Sequence, residues 1–259
     1  MRALPRWVVA LACAAAAFAV VPLVGLASRA DWSGLPALLT DPANVTALAL
    51  SLRTAAVATL ACLALGIPLG IALASLRGRL RAVTRAVLLA PLVLPPVVSG
   101  LALLYVFGRR GLIGGPLGHL GISVSFTTTA VVIAQTFVAL PFMVMAVESA
   151  LAARDGRLEA IAGTLGASTT RVLRTVTLPG IGTALVTGAV LTFARALGEF
   201  GATLTFAGSL QGTTRTAPLQ IYVARETNPQ SAVALGLILV VTAIVIVALA
   251  VRGPRGTSS

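Results

Sequence analysis

The chain has no lysine, one histidine, two cysteines and seven carboxylates in 259 residues, and only 10% of its residues are charged. Each shortage excludes a class of function. Nucleotide hydrolysis at a P-loop needs a lysine on the β- and γ-phosphates, so this chain does not carry that chemistry. His119 stands in a glycine-rich stretch without a cysteine or carboxylate beside it, the setting of a solvated side chain rather than a ligand. Cys13 and Cys62 lie in separate apolar runs, make no metal-ligand spacing and read as small packing residues rather than a disulfide. No carboxylate pair, Ser-His-Asp set or metal cluster is left, which argues against a membrane-embedded enzyme. A soluble domain needs roughly a quarter of its residues charged, and this chain falls well short.

Apolar residues supply 58% of the chain, and mean hydropathy is +1.00. A hydrocarbon core about 30 Å thick is crossed by about 20 apolar residues of helix. Charge-free runs of that length separate Arg6 from Arg29, Arg53 from Arg77, Arg85 from Arg109, Arg174 from Arg195 and Glu226 from Arg252. Another runs from Phe126 to Val147, interrupted by Gln135. The expectation is an all-α polytopic membrane protein in a lipid bilayer, one transmembrane domain over 1–259. Its spans fall near 7–26, 54–76, 86–107, 128–151, 181–203 and 231–251. Arg2 and Arg6 before the first run resemble a secretion signal, but the run continues to Ser28, too long for a signal core, so an uncleaved first span is expected. Trp7 is placed to anchor it at the interface. The tail after Arg252 is polar and expected to be disordered.

The net charge of +12 rests on arginine alone. A nucleic-acid partner would need those residues on one soluble face; here they are scattered between spans, as topology requires. With both termini cytoplasmic, twelve arginines fall inside: 2, 6, 77, 79, 81, 85, 154, 157, 171, 174, 252 and 255. Six fall outside (29, 53, 109, 110, 215 and 225), and Arg195 lies within a span.

Two spans are irregular. LVLPPVVSG (92–100) places Pro95 and Pro96 mid-span, where they remove helical donors and force a kink or break. Such breaks survive where neighbours or a wet cavity satisfy the freed carbonyls, so the site is either a structural kink or a pathway-facing helix. Arg195 and Glu199 are opposite charges at i, i+4 well inside a span, on one helix face, where they can pair. Intramembrane charges face a bundle interior or an aqueous cavity. One reading is that Arg195 lowers the barrier to an anion while Glu199 prevents a tight trap. The other is an interspan salt bridge fixing packing or a gate.

The segment LEAIAGTLGASTTRVLRTVTLPG (158–180), inside a polar stretch of about 153–179, is out of character for the chain. Leu158, Ile161, Ala162 and Leu165 form one apolar stripe on a short helix. Gly166 suits the positive φ that ends such a helix. Ser168 suits the N-cap of a second helix carrying Val172, Leu173 and Val176. Pro179 fits the first turn of the next span. The result is a stiff knob, its stripe expected against the spans and its remaining surface toward a soluble partner.

The pattern E-A-x5-G-x9-V-x-L-P, on Glu159, Ala160, Gly166, Val176, Leu178 and Pro179, resembles the EAA loop of ABC-importer permeases, with Glu159 one residue further from the glycine than in the general pattern. LVLPPVVSG running into FGRRGLIG, and ARALGEFGATLTFAG (194–208), resemble the permease of molybdate importers over essentially all six spans. The resemblance implies a type I importer permease fold in which the loop is a coupling helix seated in a groove of an ATP-hydrolysing subunit. Glu159, Ala160, Leu165, Gly166, Ala167, Ser168 and Pro179 are then the coupling residues, while Pro95, Pro96, Arg195 and Glu199 stand, from their own placement in the spans, as the pathway or gate candidates. It implies a homodimer in the cell inner membrane with two cytoplasmic ATPases that use ATP and magnesium, and an external oxyanion-binding protein. No cofactor or metal is expected on this chain. Sulfate, tungstate and thiosulfate stand as alternative substrates. A proton-coupled secondary transporter is the rival class; it normally shows an inverted repeat, not evident here, and only Glu148 and Glu199 are available for a relay.

Overall fold

The computed structural model describes residues 5–251, and side chains through residue 248. Arg2, Arg252, Arg255 and the C-terminal tail lie outside the described residues.

Among those residues every regular element is a helix. In order it runs α1 (Arg6–Ser28), α2 (Leu35–Thr40), α3 (Pro42–Ser75), α4 (Gly78–Val93), α5 (Pro96–Phe107), α6 (Gly114–His119) and α7 (Thr128–Ala152). It continues through α8 (Arg157–Thr164), α9 (Thr169–Val172), a π-helical turn (Leu173–Thr177), α10 (Leu178–Gly180), α11 (Gly182–Leu197), α12 (Gly201–Ala207), α13 (Ala217–Thr227) and α14 (Pro229–Val251). Four helices are long and apolar enough to cross a membrane, or up to six if each bent pair is one span.

The second span begins earlier than hydropathy predicts. Asp41 Oδ1 accepts the N–H groups of Ala43 (2.9 Å) and Asn44 (3.2 Å), and Pro42 occupies the first helical position, so α3 starts there and runs 34 residues. At 1.5 Å per residue that is about 51 Å, longer than the hydrocarbon needs. Its centre packs on α7 through a stripe of small residues (Ala55, Ala58, Cys62, Gly66, Gly70), all buried. A Cβ on Gly70 would sit 2.6 Å from Val147 Cβ, and one on Gly66 2.7 Å from Met143 Cγ, so glycine is what lets the two backbones approach.

The third span is two helices, broken where its proline pair is expected to break it, and the fifth is also two helices rather than one continuous 181–203. α4 and α5 meet at 112° across Leu94 and Pro95. The proline pair accounts for that, since Pro96 has no N–H to continue α4 but is well placed as the first residue of α5. α11 ends at Leu197 and α12 restarts at Gly201. Continuing the helix would require the Ala202 N–H to bond the Gly198 carbonyl; it donates to Glu199 Oε1 instead, at 2.8 Å. Pro179 is also displaced from its expected place: it belongs to the single turn α10, and the segment from Thr169 to Gly180 is bent 70° from α11.

Both ends of the bundle are pinned by polar side chains. At one end Asn44, only 1% exposed, donates to the Leu38 carbonyl (2.8 Å) and Ser231 Oγ (3.3 Å) and accepts from Gln220 Nε2 (3.3 Å), joining α3 to α13, α14 and the end of α2. Asn44→Ala leaves these groups unpaired and should destabilise the protein by about 1–3 kcal/mol, read as a lower midpoint in thermal unfolding in detergent. Nearby, the Ser33 hydroxyl and the Gly34 and Ser33 amides hold the Asp31 carboxyl below its ordinary range. At the other end Glu148, buried near the close of α7, receives Arg81 (2.9 Å) and Arg85 (3.3 Å) from α4.

Candidate functional site

Two regions carry the residues that the sequence singles out. The first is the knob. α8 starts behind Gly156, at φ +68°, and stops at a pair of bonds that define a Schellman ending: Ala167 N–H to the Ala162 carbonyl and Gly166 N–H to the Gly163 carbonyl, both 3.0 Å. Gly166 supplies the required φ of +82°. Ser168 then caps α9 through the Arg171 N–H at 3.4 Å. The corner is rigid because each turn ends where a backbone group is already satisfied.

The apolar stripe of α8 does not lie against the spans. Leu158, Ile161 and Leu165 are 62%, 55% and 83% exposed, with Leu165 at the corner itself. The acidic residue of that helix, Glu159, is the one that turns inward. It accepts from Arg154 (2.8 Å), just beyond the end of α7, and from the Thr177 hydroxyl (3.3 Å). Arg154 also fills the space that a side chain on Gly180 would need. The two side chains of this ion pair thus tie α8, the π turn and α10 to the end of α7. Ala160 is exposed and Ala167 half-buried on the same corner, while Pro179 is exposed at its base.

A cavity of about 500 Å³ separates the knob from the bundle, with Ile71, Leu151, Val172 and Leu173 as its apolar floor and Arg81 and Glu159 on its walls. Arg154 carries no signal in sequence that distinguishes it from Arg157, which pairs with the exposed Asp155. Which arginine is buried depends on the fold of the loop.

The second region is a cleft of about 340 Å³ lined by Pro96, Val97, Arg195, Gly198, Glu199, Phe200 and Gly201. The two broken spans cross here at their breaks: a Cβ on Gly201 would collide with Pro96 Cβ, and one on Gly100 would lie 2.9 Å from the Ala202 carbonyl oxygen. Pro95 sits at the start of α5, next to the cleft. Arg195 reaches Glu199 at 2.7 Å, its own side chain 31% exposed and that of Glu199 2%. The cleft therefore presents a guanidinium whose charge is already offset. The same carboxylate caps α12, so it serves packing as well as charge.

Residues 66–253 match the family described as binding-protein-dependent transport system inner membrane component. A molybdenum transport system permease protein of Mycobacterium tuberculosis is 53% identical over 257 residues, covering 99% of this chain and 97% of its own. The molybdenum transport permease of Escherichia coli K12 is 40% identical over 73% of this chain and 83% of its own, and the sulfate transport permease of the same strain is 33% identical over 80% and 72%. Among solved structures, a bacterial alginate importer superposes with a TM-score of 0.73 at 16% identity, covering 98% of this chain and 96% of that one. The methionine ABC transporter, captured facing inward, superposes with a TM-score of 0.64 at 20% identity, covering 80% of this chain and 93% of that one.

Proposed function

This chain belongs to the family of binding-protein-dependent transport system inner membrane components, multi-pass permeases of the inner membrane with the ABC-importer fold, and on that premise we propose that it is the permease of a molybdate importer. The observation that carries the substrate is near-full-length identity of 53% to molybdenum permeases. The second reading, sulfate, has the weaker support of a 33% identical relative.

Two copies form the pathway between them, each lending its cleft at the crossing of the broken spans. Two separate ATPases bind the knobs from the cytoplasmic side, with ATP and magnesium held there and not by this chain, and both termini face the cytoplasm. An oxyanion-binding protein docks at the opposite end. Binding of ATP draws the ATPases together, and the knobs follow. The Arg154–Glu159 pair passes that movement to α7, and the Arg81/Arg85–Glu148 contacts carry it on to α4. The helices at the cleft then part toward the docked receptor, and hydrolysis reverses the movement.

The test is uptake of labelled molybdate into vesicles. The permease with its ATPase and binding protein should import it in an ATP-dependent manner, with sulfate competing poorly; the permease alone should neither import nor hydrolyse ATP. Import by the lone chain, driven by a proton gradient, would overturn this reading, and equal competition by sulfate would overturn the choice of anion.

A further inference from the structure

Of the four residues at the break between α11 and α12, one sends its side chain beyond the two broken spans. Gly198 and Gly201 have no side chain to send, and Gly201 lies against Pro96 at the other break. The Glu199 carboxylate is taken up by Arg195 and by the Ala202 N–H, both in the same stretch of chain. Phe200 differs. It belongs to neither of the two apolar core clusters, and its ring meets that of Tyr222 on α13 with centroids 5.3 Å apart and planes tilted by 50°. Rings at that distance and tilt attract each other beyond the area they bury. Tyr222 is 50% exposed, so the filling of a core accounts for neither ring.

The two rings belong to different parts of the bundle. α13 is fastened to α3: the Ala217 N–H donates to Ser51 Oγ at 2.7 Å, and Gln220 Nε2 donates to Asn44 Oδ1 at 3.3 Å. It also packs along α14. α12 packs instead on α5 and α7. Phe200 starts α12, its carbonyl accepting the Leu204 N–H at 2.8 Å, and lines the cleft beside Arg195 and Glu199. Tyr222 in turn lies against the Arg225 guanidinium, 5.6 Å from the ring centroid, and Arg225 pairs with Glu226. The side chains of that pair are 66% and 69% exposed, at the end of the bundle away from the knob. A line of contacts thus runs from the exposed end of α13 to the lining of the cleft.

We infer that Tyr222 is a positioning residue of the transport cycle: by stacking on Phe200 it ties the break between α11 and α12 to α13, so that contact of the docked binding protein with α13 reaches the cleft through this pair of rings. The inference rests on the importer reading above, in which each copy lends its cleft to a pathway between the two. The break is where such a tie has effect, because a helix interrupted at 198–200 can turn there without losing its backbone bonds on either side. An aromatic pair of this kind shifts an equilibrium between joined and parted arrangements by a factor of about two to ten. Coupling between two binding events is reciprocal. Whatever factor the receptor exerts on the ATP-driven movement through the rings, bound ATP exerts on the affinity for the receptor.

The experiment measures the affinity of the permease–ATPase assembly for its molybdate-loaded binding protein, with and without a non-hydrolysable ATP analogue. The ratio of the two affinities is the readout. Tyr222→Leu should assemble and melt as the wild type does, since it breaks no hydrogen bond on which α13 depends, yet bring that ratio closer to one by about two- to tenfold. Tyr222→Phe keeps the ring and should keep the ratio. Phe200→Leu should lower it alike, and the double variant no further than either single one, because both remove the same contact. Were Tyr222 to touch the binding protein directly instead, both affinities would fall together and the ratio would stay, which overturns the inference. An unchanged ratio in Tyr222→Leu, or losses that multiply in the double variant, overturns it as well. If Tyr222→Leu does not assemble, Tyr222→Gln, which suits a half-exposed position and has no ring, is judged by the same outcomes. A wild-type assembly that imports molybdate with a ratio of one also overturns the inference, whereas one that neither imports it nor binds the receptor brings down the importer reading.

Discussion

Leu165→Asp is expected to yield a folded permease that no longer retains its ATPase. The side chain is 83% exposed and touches no span, so the substitution removes nothing that the fold uses. Its effect falls on the partner. Burying a leucine side chain is worth about 1.5–3 kcal/mol, and seating an unpaired carboxylate in the same groove costs several more. Each 1.4 kcal/mol is a factor of ten in affinity, so the complex should weaken by at least about a hundredfold and uptake should fall in parallel. Copurification with the ATPase, followed by vesicle uptake, measures both. Leu158→Asp, on the same face and 62% exposed, should behave alike but more mildly, because it lies further from the corner. A Leu165→Asp protein that copurifies and transports normally would mean that the exposed stripe faces lipid or water rather than a partner.

The second large effect is expected at Glu199. Glu199→Ala removes the ion pair with Arg195 and the acceptor for the Ala202 N–H in one step. Breaking one side of a buried pair costs about 3–5 kcal/mol, and the lower end applies because Arg195 reaches the cleft. A drop in melting temperature and poor recovery of the assembled complex should result. Glu199→Gln keeps an oxygen for Ala202 while losing the charge, so it should recover part of the stability. Joint replacement of Arg195 and Glu199 by methionine removes the uncompensated charge and should be more stable than Glu199→Ala. The uptake of that double variant separates the two roles of the pair. Near-normal transport assigns it to packing of α11 on α12, and a stable protein that transports poorly assigns it to the passage of the anion.

Fluorescence or cross-linking between α8 and α7 would detect what Arg154 contributes. Arg154→Ala should leave the helices intact yet let the knob move independently of its foot, giving ATP hydrolysis that is poorly linked to uptake. Arg157→Ala, which removes only an exposed pair with Asp155, should have little effect in the same assay.

Local features are legible in the sequence because their causes are local. Gly166 ends α8 because only a residue tolerant of positive φ completes that turn, and Ser168 caps α9 for an equally short-range reason. Pro95 and Pro96 break their span because a missing N–H acts on the nearest turn. The gap at 198–200 is not legible in this way, because its cause is a competition. The Ala202 amide has a backbone acceptor in a continuous helix and a carboxylate acceptor in a broken one, and hydropathy is the same for both. The extension of α3 back to Pro42 is hidden for a similar reason, since its first turns are held by a cap and by Asn44 rather than by lipid.

The orientation of α8 illustrates the other kind of limit. Its apolar stripe is plain in the sequence, but a stripe at helical spacing does not say whether the span, the lipid or a partner covers it. In a membrane protein this ambiguity extends along the chain, because lipid tails are as apolar as leucine and the pattern that marks buried faces in water is lost. The pairing of Glu148 with two arginines from α4 and the latch between Arg154 and Glu159 depend on which segments are neighbours. By itself the sequence determined that the chain crosses a membrane several times, that a capped knob interrupts it and that one span breaks at its prolines, since hydrophobicity, capping and proline geometry act over a few residues. Only the tertiary structure decided that the two breaks meet in one cleft, that Leu165 points away from the bundle and that Glu159 points into it, because those outcomes arise from contacts between residues far apart in the chain.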